Sequence, residues 1–168
     1  MAEENNQGAA TDVQQQAQFQ LQKLYMKDVS FEVPSAPQIF QEDGQIEIKM
    51  NLAQRVENLA DGVQEVVLTV TVTASLGEKT AYLAEVQQAG IFSITGLNEQ
   101  AMHVAVNTLC PHTLFPYARR AITDLVSDGG FPPLLLQPIN FDQIYSQRMQ
   151  EAQSQATATD DMEIQGNA

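Results

Sequence analysis

With 168 residues, 43% of them hydrophobic, the chain can bury one sizeable core but has little room for a second domain. Its 21 acidic and 8 basic residues leave a net charge of −13, which argues against nucleic acid and anionic membrane surfaces as direct partners and suits basic proteins or peptides, or plain solubility. One cysteine, Cys110, cannot make an internal disulfide, the N-terminus has neither a basic nor an apolar leader region, and no run approaches the ~18 consecutive apolar residues of a membrane helix. A reduced cytoplasmic setting without membrane insertion is therefore expected.

Residues 1–18, rich in Gln, Asn and Ala, bury too little to offset their ordering entropy and are expected to form a disordered head. The folded domain is expected over residues 19–150. Its first strand-like run, FQLQKLYMKDVSFEV, places Phe19, Leu21, Tyr25, Val29, Phe31 and Val33 on the odd face, with Lys23 and Lys27 interrupting, and Leu24, Met26, Asp28 and Glu32 on the even face. IEIKMNL alternates cleanly, setting Ile46, Ile48, Met50 and Leu52 against Glu47, Lys49 and Asn51. EVVLTVTVTAS sets Val66, Leu68, Val70, Val72 and Ala74 against Val67 and three threonines, and LGEK is a hairpin turn into AYLAEVQQAGIFSI.

After Gly96 the period lengthens to about 3.6, the α-helical repeat. Asn98 is a candidate N-cap, Met102, Val106 and Leu109 share a face, and Pro111 is expected to end that helix. A second helix is expected from near Pro116 to Gly129, with Ala118, Ile122 and Leu125 on one stripe. FPPLLLQPIN, with three prolines, must be extended, and Asn140 with Gln143 opens a last helix as a capping box. Residues 151–168, acidic and without Lys or Arg, read as a disordered tail. Strands followed by helices indicate an α+β fold: a four-stranded antiparallel sheet with helices on one face.

Chemistry is sparse. There is no phosphate-cradling glycine loop, no G-x-S-x-G and no H-E-x-x-H, so neither cofactor nor catalysis is expected. His103, Cys110 and His112 form the nearest approach to a reactive or metal-binding cluster, but Cys110 ends an apolar helical stripe, where it reads as a small buried hydrophobe. Phe40 and the leucines of FPPLLLQPIN differ from the other large apolar residues: they lie on irregular backbone, where such side chains often line a groove.

Three stretches, KDVSFEVPSAP, VTVTASLGEKTAYLAEVQQAGIFSI and LFPYARRAITDLVSDGGFPPLLLQPINF, resemble the SecB family of protein-export chaperones, in the family's order from about Phe19 to Tyr145. The resemblance implies an ATP-independent cytosolic holdase, not an enzyme, that binds unfolded precursor proteins and delivers them to the SecA motor ATPase. It also implies a homotetramer built as a dimer of dimers. Carried onto this sequence, it places client-groove residues at Ile39, Phe40, Leu134, Leu136, Ile144 and Met149, and a SecA-docking patch at Asp28, Glu32, Leu83 and Glu85. Tyr82, Ala84, Val86 and Gln88 are expected to face the helices and the subunit interface. Two departures stand out: Gly44 replaces a bulky aromatic common in the family, and the acidic tail lacks any basic residue. The remaining alternatives are a small-molecule-binding α+β protein or enzyme, and a SecB-like chaperone serving a stress or toxin-control system.

Overall fold

The computed structural model describes residues 16–165, with side chains described through residue 155. Four long strands come first: β1 (Gln18–Glu32), β2 (Ile46–Ala60), β3 (Val63–Leu76) and β4 (Lys79–Thr95). Two helices follow, α1 (Glu99–Asp128) and α2 (Phe141–Gln165), and a short 3-10 turn (Gln38–Gln41) lies in the β1–β2 connection. The strands form one antiparallel sheet in the order β1-β4-β3-β2, with the helices on one face, as the element order predicts. Gly77, at φ 58°, takes the first position of the two-residue β3–β4 turn, a left-handed conformation that favours glycine.

Period-two alternation in β3 and β4 decides which side chains meet α1. Val66, Val70, Val72, Val86, Phe92 and Ile94 are fully buried, and so are Cys110, Leu114, Ala118, Ile122 and Val126 on the facing helix. Each such Val, Leu, Ile or Phe side chain contributes about 1.5–3 kcal/mol on leaving water. Tyr82, Ala84, Val86 and Gln88 do face the helices, but at 4% exposure or less within a single chain they have no surface left to give a partner. Their expected role at the subunit interface is corrected to that of core. Gln88, the polar member, donates through Nε2 to the carbonyl of Tyr25 at 2.8 Å.

Three further expectations change. The two helices predicted on either side of Pro111 and Pro116 are one 30-residue helix with both prolines inside it. Each proline removes one backbone hydrogen bond, but the apolar stripe on both sides of the pair packs on the sheet and holds the axis continuous. The domain boundary expected at residue 150 falls inside α2, which continues to Gln165 because QEAQSQATATDDMEIQ contains neither glycine nor proline. Residues 1–15 of the expected head and 166–168 of the expected tail lie outside the described residues.

The third change concerns β1. Register shifts between Leu21 and Lys23 and between Met26 and Asp28 insert one extra residue each, Gln22 and Lys27, relative to β4. Each insertion reverses the parity. Phe19 and Leu21, then Leu24 and Met26, then Val29 and Phe31 oppose even-numbered β4 residues on the helix side, while Tyr25, Asp28, Ser30 and Glu32 stand on the outer face. The single odd-face stripe expected for this strand is thereby replaced by three short segments in alternating phase.

Candidate functional site

Two surfaces emerge, one on each side of the sheet. On the helix side, four aromatic rings form a row from the core to solvent. Phe31 lies 5.8 Å from Tyr82, Tyr82 lies 4.8 Å from Phe131, and Phe131 lies 5.1 Å from Phe40. Phe40 ends the row with 51% of its surface exposed. Glycines at the end of α1 make room for it: a Cβ on Gly129 would lie 2.2 Å from the Phe31 ring, and one on Gly130 would touch the Phe40 ring at 3.4 Å.

The other residues expected in this groove divide. Ile39 is buried and Leu136 nearly so, and both belong to the core. Leu134 and Ile144 are half-buried, and Met149 is exposed. Leu135, singled out with the other leucines of FPPLLLQPIN but absent from the groove residues that the family resemblance implies, is the most exposed leucine of the extended segment at 73%. That segment is held to α1 by Thr123, whose hydroxyl donates to the carbonyl of Leu134 at 2.6 Å. Ile144 lines a small cleft with Phe141 and Tyr145 of α2, Leu52 of β2 and Leu68 of β3. Gly44 lies against Leu76, whose side chain occupies the space a Cβ at position 44 would need.

Sequence reasoning also missed Ile48 and Met50 of β2, which point to the helix side yet remain about two-fifths exposed. Their alternation was legible, but their lack of cover was not. A helix about 10 Å across cannot roof four strands spaced about 4.8 Å apart, and α1 is centred on β4 and β3. The edge strand keeps an uncovered apolar strip.

On the outer face, the four residues expected to form one docking patch do share a side. Glu32 is directly opposite Leu83, Ser30 opposite Glu85, and Asp28 opposite Gln87. Asp28 and Glu32 are exposed, Leu83 and Glu85 half-buried, and Glu85 accepts a hydrogen bond from Thr71 at 2.9 Å. Further along this face, Glu65 receives Lys27 at 2.7 and 2.8 Å, the hydroxyl of Tyr25, and Arg55 at 3.8 Å. The hydrogen bonds from Lys27 and then Tyr25 hold the Glu65 carboxyl below the usual carboxylate range, and the same carboxylate pushes the Tyr25 phenol up to about 12.

The His103, Cys110 and His112 cluster does not converge. Cys110 is fully buried, which pushes its thiol up to about 12 and leaves no thiolate nucleophile. His103 contacts the Tyr145 hydroxyl at 2.9 Å, while His112 lies 3.9 Å from Asp142. Both histidines thus join α1 to α2. Among the described residues no three His, Cys, Asp or Glu side chains gather as a metal site, and no helix is long and apolar enough to cross a membrane.

Comparison with known proteins places this architecture in a family. The family model described as preprotein translocase subunit SecB matches residues 12–152. The protein-export protein SecB of Methylococcus capsulatus is 51% identical over 156 residues, covering 93% of this chain and 96% of that protein. That of Xanthomonas euvesicatoria is 48% identical, covering 98% of this chain and 96% of its own. That of Stenotrophomonas maltophilia is 48% identical over the full length of both. Among solved structures, a SecB-like chaperone of Mycobacterium tuberculosis, in complex with a peptide from an antitoxin, shares the fold with a TM-score of 0.61 at 18% identity, covering 73% of this chain and 91% of that one. On the family match and these near-full-length relatives, the chain belongs to the SecB family.

Proposed function

We propose that this chain is an ATP-independent export chaperone of the cytoplasm, which binds unfolded precursor proteins through apolar groups on its helix side and passes them to the SecA motor ATPase through its outer sheet face. The observation that carries the client-binding part is Phe40, a half-exposed ring anchored by three further aromatics that reach into the core. A rigid, outward aromatic can take up client side chains without ordering cost of its own. Phe40, Leu134, Leu135, Ile144, Met149 and the β2 residues Ile48 and Met50 form the client surface. Several weak contacts, multiplied in a homotetramer built as a dimer of dimers, supply avidity without a sequence code. The names of the near-full-length relatives support export as the pathway served.

Holding a client unfolded needs only mass action, worth about 2.7 kcal/mol when the holdase is at a hundred times its dissociation constant. Release then belongs to the partner. The test is suppression of light scattering by a refolding precursor, paired with calorimetric titration of the unfolded client. Phe40→Asp should weaken client binding by about tenfold, the loss of one well-buried apolar contact, while leaving the assembly mass unchanged. Equal client affinity for the variant, or no suppression by the wild type, would sink the reading.

A further inference from the structure

The outer face carries a cluster that neither proposed surface uses. Glu65 is only 5% exposed although it points away from the helices. Tyr25 and Lys27 reach it from β1 across the whole width of β4, and Arg55 approaches from β2. The register permits this crossing: β4 presents only Ala89 opposite Tyr25, so the ring passes over a small side chain. Lys27 is also the extra residue of the second bulge in β1, and the parity change at that bulge is what turns Asp28, Ser30 and Glu32 outward and Val29 and Phe31 inward.

Of the two cations in this cluster, Lys27 would otherwise lie beside the acidic patch. Lys27 adjoins Asp28 in sequence, whereas Arg55, on β2, is three strands from Asp28 and lies near Glu57 as well as Glu65. Glu65 instead lies opposite Ile91, four residues along β4 from Gln87. That is about 13 Å along the strand, longer than the screening length of about 10 Å at 0.1 M salt. Resting on the docking reading above, we propose that the Tyr25–Lys27–Glu65–Arg55 cluster is a positioning device for the docking surface: Glu65 draws Lys27 away from Asp28, Glu32 and Glu85, so that the patch meets a basic partner surface uncompensated. The carboxyl is held in its charged form by its own hydrogen-bond donors, which suits a permanent tether.

The test measures binding of isolated SecA to the full-length chaperone at low salt. Glu65→Gln keeps the side-chain size and an acceptor for Tyr25 but releases Lys27, and binding should weaken about three- to fivefold, an effect that disappears at high salt. Adding Lys27→Gln to Glu65→Gln should restore binding. Adding Lys23→Gln, which returns the same net charge from a residue outside the cluster, should not. Unchanged binding by Glu65→Gln overturns the proposal, as does failure of Lys27→Gln to rescue, or equal rescue by both lysine changes. Should Glu65→Gln not fold, Lys27→Gln alone decides: it must bind at least as tightly as wild type, and weaker binding refutes the device. Asp28→Lys with Glu85→Lys serves as the control. If that double variant binds SecA normally, the docking reading and this proposal fall together; if it loses binding while Glu65→Gln does not, only the positioning device falls.

Discussion

At the scale of single residues, Glu65 makes the clearest statement about stability. Its carboxylate is almost wholly out of water and survives there because Lys27 and Tyr25 donate to it. The folded state therefore releases the Glu65 proton more readily than the unfolded chain does. A depressed folded value stabilises fully above the unfolded value of about 4.3, and that contribution drains away as pH falls through the lower folded value. Glu65→Gln cannot show this loss. In urea titrations from about pH 7 to about pH 3, the wild type's stability advantage over Glu65→Gln should be largest near neutrality and shrink steadily below about pH 4. A difference that stays constant across that range would rule out the ion pair as its source.

At the scale of elements, α1 carries the next prediction. Pro116 is exposed and deprives the His112 carbonyl of its helical partner, whereas Pro111, equally disruptive to the backbone, is fully buried against the core. Pro116→Ala should stabilise the chain by about 1–2 kcal/mol, a fraction of the ~3 kcal/mol propensity gap, because almost no packing is lost. Pro111→Ala should gain less, since the ring it removes leaves a void. Thermal melts that rank the two variants the other way would show that the helix has already absorbed the Pro116 defect. The same helix marks where reading the sequence succeeds and fails. Asn98 was recognisable as a cap, and its side chain does accept from the Ala101 amide at 2.8 Å. Asn140 likewise accepts from the Gln143 amide at 3.0 Å. Strands β2, β3 and β4 kept the alternation visible in their residues because hardly any bulge disturbs them. By contrast, β1 was illegible because a bulge has no residue signature: nothing in LQKLYMKD marks Gln22 or Lys27 as the extra residue. The continuity of α1 was hidden for a different reason, since tertiary burial outweighed a local breaker.

At the scale of the whole molecule, the two sides of the sheet obey different physics. The helix side exposes Phe40, Met50 and Leu135, and under the proposed function their burial by a client would be driven by loss of apolar surface and insensitive to screening. The outer face offers Asp28, Glu32 and Glu85 on a chain of net charge −13, so attraction of a basic partner rests on fields that salt shortens. Which residues share a side was legible, whereas which of them stay uncovered depended on where a single helix comes to rest, and that left Ile39 and Leu136 in the core and Leu135 outside it. Raising salt from about 0.05 to about 0.5 M should weaken SecA binding by at least about tenfold while changing client affinity by less than about twofold. Asp28→Lys with Glu85→Lys should reproduce the high-salt loss of SecA binding at low salt and leave client affinity where it was. Titrations of client and SecA run side by side on the same preparations distinguish the outcomes. Parallel loss of both affinities with salt would mean that client and motor share one electrostatic surface, and the division of the sheet into an apolar side for holding and a charged side for delivery would have to be abandoned.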